Sequence, residues 1–280
     1  MLTIRSALAR AVTQFAASES PKLDAETLLA SALQKQRSHL FAWPDQALDS
    51  EQETLFNSMI KRRSDGEPVA HILGQREFWS MELHVTPDTL IPRPETELLV
   101  EHALSLIPTH SAYDVLDLGT GTGAIALAIA SERRRASVTA CDQSHAALEV
   151  AKMNADAHGL AHVTFIESNW FSALRDCKFD LIVCNPPYIK HGDPHLSRGD
   201  VKYEPESALI SGEDGLDDIR EIVAGASAHL KNEGEIAIEH GYDQGEPVRE
   251  IFKQHGYGEV KTLTDLNGNE RVCAARTSLR

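Results

Sequence analysis

Asp117-Leu118-Gly119-Thr120-Gly121-Thr122-Gly123 is the stretch that decides the fold. It lies between the strand-like run Tyr113–Leu118 and an apolar helical run over residues 123–131. Alternating glycines let the backbone turn tightly, approach a ligand closely and aim N–H groups at it from a helix N-terminus. Outward from this loop, strand and helix patterns alternate. Strand 137–141 precedes helix 144–158, strands follow at 163–166 and 179–184, and a long loop runs through Gly212. Helix 217–230, strand 235–239, helix 244–255 and a strand pair at 259–263 and 271–275 complete the pattern. Such alternation predicts an α/β domain with a mainly parallel sheet and helices on both faces.

Residues 1–73 differ. Ile4, Leu8, Ala11 and Phe15 repeat at helical spacing, as do Leu23, Thr27, Leu28 and Leu33. Ser50-Glu51-Gln52-Glu53 has the form of a capping box, with Leu55, Phe56, Met59 and Ile60 as the apolar face behind it. These patterns predict a small all-helical N-terminal domain. Residues 1–18 hold Arg5 and Arg10 and no acid, as an organelle transit peptide does, yet their helical spacing continues into the next helix. They therefore read as the first helix of the domain. Residues 74–93 read as a linker hairpin: the aromatic-rich run Glu77 to Val85 has strand character, and Pro87 and Pro92 break the chain after it. Pro94 suits the first position of a helix ending near Leu106, so the α/β domain spans residues 94–280.

The 280 residues are 42% hydrophobic and 25% charged, enough for a core, and no apolar run reaches the roughly 18 residues of a membrane span. A net charge of −15 argues against a protein that wraps nucleic acid through phosphate contacts. The basic runs Lys61-Arg62-Arg63 and Arg133-Arg134-Arg135 read as solvated helix ends. Four cysteines show no CxxC spacing; Cys141 and Cys184 read as buried small hydrophobes, and no disulfide is expected, which points to a reducing, cytoplasmic setting. The histidines form no metal-binding pattern, so no metal is expected. Neither a nucleic-acid nor a membrane partner is expected, and the chain is read as a monomer.

The glycine loop alone leaves its ligand open. Gly121-x-Gly123-x-x-Ala126, with Asp142 placed to bind a ribose, also fits a dinucleotide fingerprint. Asp117 favours S-adenosylmethionine over NAD, because a carboxylate there repels a pyrophosphate but can receive an ammonium. A second motif, Asn185-Pro186-Pro187-Tyr188, directly follows strand Phe179–Cys184. Ligands of open α/β sheets bind beyond the carboxyl ends of the strands, so both motifs face one crevice. Two prolines restrict the backbone and remove two N–H donors. The Asn185 side-chain oxygen and the Pro186 carbonyl then form paired acceptors, and Tyr188 a flat wall, for an NH₂ group on a planar system.

With these motifs the chain resembles the class I methyltransferases that modify amide and amino nitrogens. Gly74-Gln75-Arg76-Glu77-Phe78, Leu90-Ile91-Pro92-Arg93-Pro94-Glu95-Thr96-Glu97, Tyr203-Glu204-Pro205 and Asp265-Leu266-x-Gly268-x-Glu270-Arg271-Val272 narrow the likeness. Together they resemble the release factor glutamine methyltransferases (the HemK/PrmC family). The resemblance implies a Rossmann-like methyltransferase domain with an antiparallel C-terminal strand, and transfer of a methyl group to a glutamine N5 of class I peptide chain release factors. It implies S-adenosylmethionine contacts from Gly119, Thr120, Gly121, Thr122, Gly123, Asp142, Trp170 and Asn185, with Trp170 on the adenine and Asn169, where many relatives carry aspartate, accepting from its amino group. Asn185, Pro186 and Tyr188 are then the catalytic residues, and Pro187, Phe78 and Arg93 complete the substrate pocket. The helical domain is expected to read the protein substrate. The competing readings are a ribosomal-protein glutamine methyltransferase, an N6-adenine nucleic-acid methyltransferase, and a non-catalytic S-adenosylmethionine-binding adaptor. The Pro94–Glu97 ending weighs against the first, the missing basic groove against the second and the intact Asn185–Tyr188 motif against the third.

Overall fold

The computed structural model describes residues 2–15 and 18–277. Met1 and residues 16–17 of the expected first helix lie outside the described residues, as do residues 278–280 of the expected C-terminal domain. The chain divides into two compact units, Met1–Gln75 with Pro194–Tyr203, and Arg76–Asp193 with Glu204–Arg280.

The first unit is built on α1 (Ile4–Gln14), α2 (Pro21–Ala32), α3 (Arg37–Ala42), α4 (Ser50–Ser64) and α5 (Val69–Leu73). Thr3 caps α1 in a box closed by Ser6. The box on α4 sits one residue earlier than the sequence pattern places it: Asp49 is the cap and Gln52 the reciprocal partner. Asp49 accepts from the Gln52 N–H at 2.8 Å, which leaves Ser50 as the first helical residue. Ile4, Ala7, Ala11 and Phe15 share a core with Leu28, Leu29, Phe56, Ile60 and Ile72. Leu23 on α2 is exposed, and so is Leu55 on α4, whose buried residues are Phe56 and Ile60.

Arg63 is not a solvated helix end. Its side chain is buried between Asp24 (2.8 Å) and Asp200 (2.7 Å). The Tyr203 hydroxyl donates to the Asp65 carbonyl at 2.7 Å. These bonds hold Pro194–Tyr203 in the helical unit, whereas the sequence reading leaves that segment in the α/β domain. A bond across 137 residues leaves no local pattern to read.

Next along the chain, β1 (Gln75–Phe78) and β2 (Met81–His84) form a hairpin. Its turn residues Trp79 and Ser80 have φ of 52° and 57°, a conformation usually given to Asn-Gly. The Glu97 carboxylate accepts from the Trp79 N–H at 3.0 Å and pins that turn. There follow α6 (Glu97–Leu106), β3 (Tyr113–Leu118), α7 (Ala124–Glu132), β4 (Ala136–Asp142), α8 (His145–Ala157), β5 (Thr164–Glu167) and β6 (Phe179–Cys184). Beyond the long loop come α9 (Asp217–Ala226), β7 (Leu230–Glu239), α10 (Gly245–Gln254), β8 (Tyr257–Thr264) and β9 (Glu270–Thr277). Helix α9 stops four residues short of the expected 230, because Leu230 already pairs with Phe179 in the sheet.

The described strands of this sheet run in the order β5-β4-β3-β6-β7-β9-β8. All pairs from β5 to β7 are parallel, and β9 is antiparallel to both its neighbours. Side chains alternate between the two faces of a strand. Val115, Leu181 and Val183 accordingly share one apolar layer with Leu99, Leu127 and Ile129. Leu116, Leu118 and Ile182 share the other with Ile219, Ile222, Val248 and Phe252. Burying each such side chain contributes about 1.5–3 kcal/mol. The chain leaves β3 toward β4 on one side and returns to β6 on the other, so a crevice opens beyond their carboxyl ends. Among the described residues no helix is long and apolar enough to cross a membrane.

Candidate active site

The glycine loop leaves β3 with φ of +70°, +54° and +84° at Gly119, Gly121 and Gly123. A Cβ on Gly123 would come within 3.1 Å of Leu127 and 3.2 Å of Ala151, so any side chain there pushes on α7 or α8. Asn154, fully buried in α8, holds the loop in place. Its Nδ2 donates to the carbonyls of Thr122 (2.9 Å) and His84 (3.1 Å), and its Oδ1 accepts from the His84 N–H (2.7 Å).

Asp117, near the end of β3, is 0% exposed. Its Oδ2 accepts from the Thr120 hydroxyl (2.6 Å) and the Ala126 N–H (3.2 Å), while Oδ1 is buried without a hydrogen-bond partner. Burial pushes its pKa up to about 7. An unsatisfied buried carboxylate oxygen is costly, and a cationic donor removes the cost. Asp142 ends β4; its Oδ2 accepts from Gly121 N–H and its Oδ1 from Ser144 N–H, both at 2.9 Å. Burial raises its pKa as well. Each oxygen keeps a lone pair for a hydroxyl donor.

A cleft lies over Asp142 and the glycine loop, while the buried Asp117 is not among the residues that line it. Of the residues expected there, Gly119, Gly121, Asp142, Asn169, Trp170, Asn185 and Pro187 line it. Trp170 takes φ +43°, and its ring lies 3.4 Å from where a Gly119 Cβ would stand, so that glycine admits the indole edge. Ser168 stabilises this backbone by donating to the Trp170 carbonyl at 2.7 Å.

Other expected residues are not on the cleft wall. Thr120 and Thr122 are buried in the loop, and Gly123 serves as the cap of α7. Phe78, expected in the substrate pocket, is instead a core residue in the cluster that holds Met81, Leu83 and Leu99. Arg93, expected beside it, is paired with the buried Glu204 carboxylate at 2.5 Å. The same carboxylate accepts from the Ile91 N–H at 2.9 Å and so joins two segments of cleft wall, Asp88-Thr89-Leu90 and Pro205 with Ser207 and Ala208. The sequence reading gave these wall residues no role, although Leu90 and Pro205 stand inside motifs it singled out.

At the end of β6, Asn185 Nδ2 donates to the Thr96 hydroxyl at 3.2 Å. Pro186 is buried. The Tyr188 hydroxyl donates to Glu239 Oε1 at 3.4 Å, and burial pushes the phenol's pKa up. Gln244 Nε2 donates to the Tyr188 carbonyl at 2.9 Å. A Cβ on Gly215 would lie 2.4 Å from that carbonyl oxygen, so only glycine fits beneath the motif.

The site therefore joins an unsatisfied buried carboxylate, a half-buried one with free lone pairs, an indole and a carboxamide. These fit the ammonium, ribose and adenine of S-adenosylmethionine, whereas a pyrophosphate would meet the Asp117 charge. Family models agree: a PrmC N-terminal domain matches residues 6–74 and a Methyltransferase small domain matches residues 94–198. The release factor glutamine methyltransferase of Pseudomonas aeruginosa is 54% identical, over 93% of this chain and 94% of its own. That of Aliivibrio fischeri is 47% identical, over 97% and 96%. A methyltransferase structure from Pyrococcus furiosus shares the fold, with a TM-score of 0.54 at 17% identity over 80% of this chain and 100% of that one. With such identity along nearly its whole length, the chain belongs to the release factor glutamine methyltransferase family.

Proposed function

We propose that the protein methylates the side-chain amide nitrogen (N5) of the GGQ glutamine in class I peptide chain release factors, using S-adenosylmethionine, in the cytoplasm. The observation that carries this reading is Asn185 at the end of β6, lining the same crevice as Asp142, Asn169 and Trp170. In this reading Asp142 takes the ribose hydroxyls, Asp117 the ammonium, Trp170 the adenine face and Asn169 the adenine amino group.

S-adenosylmethionine, when held by Asp117, Asp142, Asn169 and Trp170, would supply an electrophilic methyl group to the amide nitrogen, whose displaced proton would pass to solvent. The amide is a poor nucleophile because its nitrogen lone pair is delocalised into its carbonyl. Asn185 Oδ1 and the Pro186 carbonyl accept from the two amide hydrogens and stabilise the positive charge growing on nitrogen. Alignment of this kind lowers a barrier by several kcal/mol. Tyr188 packs against the glutamine side chain. One side chain cannot select one protein among many, since stable recognition takes about 800 Å² on each partner. We assign that task to the helical residues 1–73, whose surface carries Phe41 and Trp43, 60% and 61% exposed.

The test is incubation of the purified protein with S-adenosylmethionine and a class I release factor, followed by peptide mass spectrometry. One methyl group on the GGQ glutamine is expected. Transfer to a ribosomal protein with none to the release factor would overturn the reading.

A further inference from the structure

We propose that Tyr242 and Leu266 form a docking surface, at the carboxyl end of the sheet, for the stretch of release factor chain that flanks the target glutamine. The inference rests on the functional reading above, in which that glutamine reacts beside Asn185. Leu266 is fully exposed and Tyr242 is 64% exposed. An exposed apolar side chain standing alone is ordinary on a protein surface. These two are held on one hydrogen-bonded frame that begins at the wall of the substrate site.

The frame can be followed bond by bond from Tyr188. Gln244 Nε2 donates to the Tyr188 carbonyl at 2.9 Å, and Gln244 Oε1 accepts from the Gly241 N–H at 2.8 Å. The Gln244 N–H donates to the Gly241 carbonyl at 2.9 Å and closes the turn that carries Tyr242. His240, just before that turn, donates its N–H to the Arg271 carbonyl at 2.8 Å and so reaches β9. Arg271 Nε donates to Asp265 Oδ2 at 3.1 Å. Asp265 Oδ1 accepts from the N–H groups of Asn267 and Asn269, both at 2.9 Å, and the Asp265 N–H donates to the Asn269 carbonyl at 2.9 Å. The turn over residues 265–269 is thereby fixed around Leu266.

Turns are built chiefly of Gly, Asn, Asp, Ser and Pro. Residues 265–269, Asp-Leu-Asn-Gly-Asn, follow that rule except at Leu266. The bonds of Asp265 hold this turn, and the leucine side chain stands in solvent, so it adds nothing to the fold. A pre-ordered frame loses little freedom when a partner binds, and apolar area on it therefore converts well into affinity. Tyrosine is itself enriched at protein interfaces. The placement fits the partner. Strand β7 lies parallel to β6, with β9 and β8 beyond it. At about 4.8 Å between strands, the two turns lie roughly 5–15 Å from the end of β6. A standard interface takes about 800 Å² on each partner, roughly 28 Å across, and covers both turns when it is centred on the reacting glutamine. The partner seated there is thus the protein that carries that glutamine.

The experiment uses the full-length protein with S-adenosylmethionine and a class I release factor, and compares wild type with Tyr242→Ser, Leu266→Ser, the double variant and the conservative Leu266→Met. KM for the release factor should rise about fivefold in each single serine variant and about twentyfold in the double, while calorimetric affinity for S-adenosylmethionine and Tm stay at the wild-type values. Leu266→Met keeps an apolar side chain on the turn and should keep a KM within about twofold of wild type. An unchanged KM in the double variant, or an equal rise in Leu266→Met and Leu266→Ser, would overturn the inference. So would a matching loss of Tm or of S-adenosylmethionine affinity, which would make the two residues structural. A wild type that sediments as a dimer beside a monomeric double variant would give the surface to a second copy of this chain and overturn it as well. A wild-type enzyme that transfers nothing to the release factor would overturn the functional reading, and the inference with it.

Discussion

At the amino ends of the parallel strands, Asp114 and Asp180 both accept from Lys231, at 2.6 and 2.8 Å. Buried Glu235 is met there by His102 (2.6 Å), Lys261 (3.1 Å) and Arg276 (3.0 Å). At the carboxyl ends, Asp117 and Glu239 are equally buried, yet each keeps an oxygen without a hydrogen-bond partner. The consequence is a reversal of acidity. Partners outweigh burial at Glu235 and lower its pKa to about 2, while burial wins at Asp117 and Glu239 and raises both to about 7. One sheet thus neutralises its carboxylates at the end that only holds the fold together. It tolerates unsatisfied ones at the end where a ligand can satisfy them, as perturbed groups at functional sites commonly show.

The comparison predicts that substitutions at the two ends separate activity from stability. The largest effect belongs to Asn185→Ala. Its kcat should fall by about 10²–10³, the usual cost of losing a preorganised charge-stabilising group, with Tm nearly unchanged. A variant with near-normal kcat would remove the acceptor role.

Glu235→Ala should do the reverse, lowering stability by about 3 kcal/mol in denaturant titrations while leaving kcat intact, because it strands buried His102. The pH dependence has a definite sign. Glu235 sits below its ordinary pKa of 4.5, so its contribution is fully present above pH 4.5 and is lost as pH falls toward 2. A loss of kcat without a loss of stability would break the comparison at this end.

Asp117 sharpens it. Its folded pKa lies above the ordinary 3.8, so the folded state is penalised progressively as pH rises from 3.8 to about 7. An ammonium favours the ionised form, so affinity for S-adenosylmethionine should increase with pH through about 7, and calorimetry should register proton release on binding. Asp117→Asn should weaken binding by about 1.5–3 kcal/mol and flatten that pH dependence. A pH-independent wild-type affinity would remove the ammonium from Asp117.

The smallest expected effect lies outside both ends. Trp43→Ser in the helical unit should raise KM for the release factor about tenfold, or 1.4 kcal/mol, with S-adenosylmethionine affinity unchanged. An unchanged KM would take Trp43 out of substrate recognition.

What could be read from the sequence follows from how local each signal is. Strands Tyr113–Leu118 and Phe179–Cys184 appear where the sequence places them, because a central parallel strand is rich in apolar residues, here Val115-Leu116 and Leu181-Ile182-Val183, and ends at a glycine or proline motif. The crevice followed from those two strand ends. Phe78 was misplaced in the pocket because an aromatic residue beside a motif looks the same whether it faces a ligand or the core; the hairpin register decides, and it turns Phe78 inward. The cleft wall from Asp88 to Leu90 and at Pro205 depends on Glu204 reaching across 113 residues to Ile91, which no periodicity records.

The central claim is that the unsatisfied end of the sheet transfers a methyl group to a release factor glutamine. Its most direct test is mass spectrometry of class I release factors isolated from cells lacking this protein, and from the same cells carrying either the wild type or Asn185→Ala. The account predicts an unmethylated GGQ glutamine in the deleted cells, methylation restored by the wild type and almost none restored by Asn185→Ala. Methylation that persists in the deleted cells, or equal rescue by both proteins, would contradict it.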